Sequence, residues 1–284
     1  MWQDKAVRRF VGSPRAEALA MTAFFIEVLM LHNIFDAHAH YDDRWFDEDR
    51  VDLLSSLPEH GVSYIVNAAV DLATAKTAIE YTEQYPHMYA CAGIHPENLD
   101  GLPDNYIDQL TELLNHPKVV ALGEIGLDYH WDIPKDAQHR VFEEQLQLAK
   151  ELDVPVVIHD REAHGDVMEL VRRYQPKGLM HCYSGSVEML KEVIKLGMSI
   201  SLGGTVTFKN ARVPVEVAQT VPLDRLLLET DAPYLSPVPF RGKRNDSTKI
   251  AYTAQKIAEL RGIDPQELID ITTENAKRLY GITP

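Results

Sequence analysis

The stretch VPVVIHD, residues 154–160, stays apolar for five residues and then delivers a histidine and an aspartate. A strand that is apolar almost throughout is buried on both faces, as in a parallel sheet covered by helices, and not half-solvated as in an alternating one. The same design recurs along the chain, in IFDAHAH (34–40), YIVNAAV (64–70), MYACAGI (88–94), VVALGEIGL (119–127), GLMHCYS (178–184), MSISLGG (198–204) and RLLLETDAP (225–233). Helical patterns lie between these runs, at 46–60, 72–85, 104–115, 136–152, 162–174, 186–196 and 211–219. A closing helix is expected in DPQELIDITTENAKRLYG, with Asp264 as N-cap, Pro265 in the first turn and Gly281 as the stop. Eight strand–helix units in one chain predict a (β/α)₈ TIM barrel in a single domain, with a doubly wound open sheet as the alternative.

In nearly every run the chemically capable residue comes last. The first ends in His38 and His40, the third leads into His95, and the others carry Glu124, His159, His181 and Asp231. The C-terminal strand ends of such a barrel form the rim on which active sites are built. Alternation along a strand puts His38 and His40 on one face and Ala37 and Ala39 on the other. Taken singly, each histidine reads as a hydrogen-bonded strand-end residue and each acid as a cap or ion-pair partner. Four histidines and two carboxylates at one end of five strands read instead as a metal site, because carboxylates buried together need cations to neutralise them. Six donors exceed the three or four protein ligands of one catalytic zinc, so two divalent ions are expected. The mixed donors suit Zn²⁺, Mn²⁺ or Fe²⁺ better than Mg²⁺, which remains a candidate.

Composition narrows the partners. The chain has 284 residues with 28 Lys and Arg against 43 Asp and Glu, a net charge of −15. No global basic field holds such a chain to nucleic acid, so polyanion contact must come from a local patch or from bound cations. The basic residues Arg241, Lys243 and Arg244 in FRGKRN (240–245) follow the eighth strand and are candidate phosphate contacts. Tyr129, Trp131, Tyr183, Tyr234 and Phe240 near the rim are candidates for stacking on unpaired bases, with loop packing as the other reading. Two cysteines, Cys91 and Cys182, both in strand-like runs, fit a reducing compartment and a cytoplasmic location. Residues 1–29 read as an amino-terminal extension outside the catalytic unit of 30–284, with Met30 as an alternative start or the segment as an extra helix on the outside. Its apolar run is too short to span a bilayer, and Glu27 interrupts it. No membrane partner is expected, and a monomer is.

The segments FDAHAH, AGIHPE, ALGEIGLDY, PVVIHDREA, HCYSGS and LLLETDAPYLSPVPFRGKRND, in order from residue 35 to about 246, resemble the TatD family of metal-dependent deoxyribonucleases among the amidohydrolase-type barrels. The resemblance implies that His38, His40 and Asp231 hold one metal, that His159 and His181 hold a second, that Glu124 bridges the two, and that His95 lies near the scissile phosphate. It further implies hydrolysis of DNA phosphodiesters, of the 3′–5′ exonuclease type on single-stranded or frayed ends, with Asp231 taking the proton from the attacking water. Phe240 stands where relatives often carry His, and Asp246-Ser247 where Glu-Pro is usual, departures that touch substrate detail and no implied ligand. Two other readings compete: a barrel hydrolase for a small ester, lactone, amide or phosphotriester, and a non-catalytic metal-binding barrel.

Overall fold

In the computed structural model, which describes residues 31–283, the strands run parallel in strict chain order. They are β1 Ile34–Ala39, β2 Val62–Ala68, β3 Met88–Ala92, β4 Val119–Asp128, β5 Val156–Arg161, β6 Gly178–Met180, β7 Ser199–Leu202 and β8 Leu226–Leu228. The ring closes through a bridge between Ala39 and Ala232, with His40 N donating to the Ala232 carbonyl at 2.7 Å and Asp231 N to that of His38 at 3.0 Å. Around it lie α1 Arg50–Ser56, α2 Leu72–Gln84, α3 Tyr106–Leu114, α4 Lys135–Leu152, α5 His164–Tyr174, α6 Val187–Lys195, α7 Arg212–Thr220, α8 Ile250–Arg261 and α9 Pro265–Tyr280. The TIM barrel expected from the sequence is the fold, while the division at residues 29 and 30 lies outside the described residues.

The outer faces of the strands pack on the helices in one large apolar cluster. A smaller inner cluster gathers Phe35, Ala37, Val66, Cys91, Ala121, Val157, Leu179 and Leu227, and Tyr280 of α9 joins it, its hydroxyl donating to the Ala37 carbonyl at 3.0 Å. Local signals set the helix ends as expected. Asp264 accepts from Gln266 N and Glu267 N at the start of α9, and Gly281 ends it at φ 66°. Helix α8, for which the sequence reading has no counterpart, buries Ile250, Ala251, Ala254, Ile257 and Ala258.

Strand alternation alone does not aim the site residues. From the inner residues Val157 and Leu179, two steps along lead to His159 and His181, as a period of two requires. His38 and Glu124, however, are one and three residues beyond the inner Ala37 and Ala121. Both ladders break where these residues lie: β1–β2 shifts register between Asp36 and Ala39, and β4–β5 between Leu122 and Ile125. These irregularities turn the two side chains toward the barrel mouth, a known use of ladder defects beside active sites. Several strands are also shorter than expected, β6 and β8 most of all. After Met180 and Leu228 the chain leaves extended geometry, and Cys182 (φ 43°) and Asp231 (φ 56°) take left-handed backbone.

Candidate metal centre

Glu124 is the hub. Its Oε2 lies 3.3 Å from His38 Nε2 and 3.5 Å from His40 Nε2, while its Oε1 lies 2.8 Å from His159 Nδ1 and 2.7 Å from His181 Nε2. Asp231 Oδ1 approaches His40 Nε2 at 3.4 Å and His38 Nε2 at 3.7 Å. The six expected ligands therefore meet, one carboxylate oxygen turned toward each histidine group. His95 joins them, its Nε2 3.5 Å from Glu124 Oε1 and its ring edge-on to that of His159.

The donor set fits cations. His38 Nε2 and His40 Nε2 face each other at 3.1 Å, and His159 Nδ1 and His181 Nε2 at 3.3 Å. Facing imidazole nitrogens either share a proton or converge on an ion. The outer nitrogens decide the tautomers of two rings. His40 Nδ1 is 2.9 Å from the Ala68 carbonyl and His159 Nε2 is 2.9 Å from Asp128 Oδ2, and neither partner can donate. Each ring thus spends its N–H outward and, when neutral, turns a lone pair inward, the arrangement that orients histidine ligands. Among the described residues, His38 with His40 and Asp231, and His95 with Glu124 and His159, are groups whose ligand atoms lie within 4.8 Å of one another.

Charge completes the case. Burial opposes ionisation of Glu124, yet His181, His95 and His38 hold its carboxyl well below the usual range. Burial also works against charge on His40 and His159, but Asp231 and Glu124 push the first up to about 10, and Asp128 and Glu124 the second. These buried carboxylates draw protons onto the imidazoles, and a bound cation would supply the same charge in place of those protons.

Three supporting carboxylates surround the ligands. Asp36 holds backbone and hydroxyl groups and no imidazole: it accepts from His38 N, Thr230 N, Thr230 Oγ1 and Ser247 Oγ. The unusual Ser247 thus fastens β1 to the loop after β8. Burial pushes Asp36 up to about 6 despite Ser247 and Thr230. Asp128 and Glu229 escaped the sequence reading. Asp128 is fully buried behind His159. Glu229 is fully buried too, accepting from Cys182 N at 2.6 Å and Ser201 Oγ at 2.5 Å, with His181 Nδ1 3.8 Å away. The signal that could have flagged them is nearness to the other acids, Asp128 four residues after Glu124 and Glu229 two before Asp231.

The expected substrate contacts divide. Arg244 is a strut: it grips Asp49 with two bonds of 2.7 and 2.6 Å, donates to the Trp45 carbonyl at 2.8 Å, and lies over the Phe46 ring. Both of its Nη atoms are thus engaged within the protein. Arg241 lies over Phe208, its guanidinium carbon 4.1 Å from the ring centroid, and Lys243 is exposed. Of the expected stacking residues, Tyr183 is buried with its hydroxyl bonded to the Ser186 carbonyl, and Phe240 packs edge-on against Tyr252. Tyr129 donates to Asp166, whereas Trp131 and Tyr234 are exposed.

The family model of TatD related DNase matches residues 35–281. The chain belongs to the TatD family. An uncharacterised metal-dependent hydrolase, YabD of Bacillus subtilis, is 44% identical to this TatD-family chain, with 88% of the chain and 99% of YabD covered. A protein named 3′-5′ ssDNA/RNA exonuclease TatD, from Citrobacter rodentium, is 32% identical over 88% of the chain and 98% of its own length. The crystal structure of YjjV, a TatD homologue from Escherichia coli K12, superposes with a TM-score of 0.83 at 32% identity, covering 89% of this chain and all of that one. Family and donor set together make the protein a metal-dependent hydrolase of the TatD family. Among the described residues, no helix is long and apolar enough to cross a membrane.

Proposed function

We propose that this TatD-family hydrolase is a deoxyribonuclease of the 3′–5′ exonuclease type, acting on single-stranded or frayed DNA ends as a cytoplasmic monomer. The observation that carries the reading is the Glu124 carboxylate with an oxygen toward each histidine group. His38, His40 and Asp231 would hold one divalent ion, His159 and His181 the other, with Glu124 between them. The exonuclease name of the Citrobacter relative supports the substrate class, and two free cysteines support a reducing compartment.

When bound, such ions lower the pKa of a water from near 16 toward about 7 and offset phosphate charge. The remaining work falls to the protein. Asp231 is the proton acceptor: burial opposes its ionisation, but His40, His181 and His38 keep its pKa below the ordinary value and so keep it ionised, the form that can take a proton. His95 lies beside Glu124, where burial lowers its pKa, and would hydrogen-bond the phosphate from there. Asp128 and the Ala68 carbonyl fix the rings of His159 and His40.

The test is hydrolysis of a 3′-labelled single-stranded oligonucleotide beside a panel of small esters, lactones and phosphotriesters, with Mn²⁺, Mg²⁺ or Zn²⁺. Release of labelled mononucleotide is expected. Turnover of the small substrates alone would replace the nuclease reading with a small-molecule hydrolase.

A further inference from the structure

Two aromatic rings stand exposed at the mouth of the metal centre, and polar bonds hold the backbone of one and the hydroxyl of the other. Trp45 is 52% exposed and Tyr234 48%, with ring centroids 6.5 Å apart. The Tyr234 ring in turn lies 6.4 Å from that of His40. The Asp43 carboxylate accepts from Trp45 N at 2.8 Å and from the Tyr234 hydroxyl at 2.7 Å, joining the two. Arg244 holds the Trp45 carbonyl, and Asp49 holds Arg244. The neighbouring Phe46 is fully buried, which anchors the short turn Arg44–Phe46 from beneath.

Exposed aromatic surface is unfavourable in water, and paired rings fixed at a site mouth mark a contact surface. The occupant must suit an acidic neighbourhood: Asp42 and Asp43 flank the pair in a chain of net charge −15. Of the nearby guanidiniums, Arg244 is bonded to Asp49 and Arg50 to Asp47 and the carbonyls of Asp42 and Asp43, while the exposed Arg44 is outnumbered by Asp42, Asp43, Asp47 and Glu48. Electrostatics therefore gives a polyanion little hold here, whereas stacking on a π-face needs no charge. We infer that Trp45 and Tyr234 form a stacking subsite for the nucleobase next to the scissile phosphate of a single-stranded end. This rests on the nuclease reading and adds to it a residue, Trp45, that the sequence analysis passes over. It also gives Arg244 a part, as a positioning residue for the Trp45 turn.

The experiment pairs protein and substrate changes. Wild type, Trp45→Ala, Trp45→Phe, Tyr234→Phe and Tyr234→Ala, each checked for folding by its thermal midpoint, act on a single-stranded oligonucleotide with an intact or an abasic 3′ end. Losing one stacked ring should raise KM roughly tenfold or more, with a smaller change in kcat. Trp45→Phe and Tyr234→Phe keep a ring and should recover most of that loss. The abasic end should cost wild type a similar factor but cost Trp45→Ala little, because base and ring report one interaction. Binding is read separately in Asp231→Asn protein, where an oligonucleotide should quench tryptophan emission unless Trp45 is Phe. If DNA is cleaved but base and ring losses simply multiply and no Trp45-dependent quenching occurs, the subsite is overturned and the nuclease reading stands. If quenching occurs with no cleavage by wild type, the nuclease reading falls and the base site stands. With neither signal, both fall.

Discussion

The most searching perturbation is Asp128→Asn, which changes no proposed ligand. Asp128 Oδ2 accepts from His159 Nε2 at 2.9 Å, and its Oδ1 accepts from His130 N at 2.9 Å. Asparagine has one acceptor where the carboxylate has two. With its oxygen toward His130 N, the amide NH₂ meets His159 Nε2 and drives the ring proton onto Nδ1, the nitrogen facing Glu124. With the amide reversed, His130 N loses its partner and two donors confront each other. Either arrangement damages the outer support of a ligand. Losing such support typically costs about 10–100-fold in metal affinity, which is roughly 1.4–2.8 kcal/mol. Calorimetric titration of metal into chelator-treated protein should show one of two sites weakened by that factor and the other retained. Turnover at limiting metal should fall in parallel and recover partly at saturation. Wild-type affinity at both sites, in a variant that folds normally, would refute the argument that Asp128 sets the His159 tautomer.

Asp231→Asn removes the proposed proton acceptor, and kcat should fall by about 10²–10⁴-fold while metal analysis still finds the His159–His181 ion; undiminished turnover would remove Asp231 from that role. Gly126 sits at φ 149°, and a Cβ there would lie 2.0 Å from the His159 carbonyl oxygen. Gly126→Ala should therefore cost on the order of 2–5 kcal/mol in denaturant unfolding, from backbone strain and overpacking together. Asp49 is held below its ordinary value of 3.8, chiefly by the hydrogen bond from Arg244. A depressed carboxyl contributes stability that is fully present above 3.8 and is lost as pH falls through the folded value. Arg244→Ala should remove this acid-sensitive contribution and flatten the thermal midpoint below about pH 4, while the wild-type midpoint keeps falling.

Much of the fold was legible because parallel strands announce themselves as apolar runs, and all eight lie where those runs do. Helix α8 was not, because three of its five buried apolar residues are alanines, which give little contrast between faces. The six proposed ligands were legible as a strand-end set. The mechanism of their convergence was not, because His38 and Glu124 depend on register breaks that no local pattern encodes. Asp128 and Glu229 were hidden by prominent neighbours. The bonding of Arg244 was hidden for a different reason: its partner Asp49 is 195 residues away in sequence and bonded to it in space.

The ring closes at a single seam, where the loop after β8 meets the end of β1. The seam has a consequence for synthesis. His38 and His40 emerge early from the ribosome and Asp231 late, so the ligand set proposed for the first ion does not exist until most of the chain has been made. His159, His181 and Glu124, by contrast, all belong to the middle of the chain. A nascent or truncated polypeptide ending before β8 can gather half of the proposed centre at most, and on the two-ion reading it is silent until its barrel is shut.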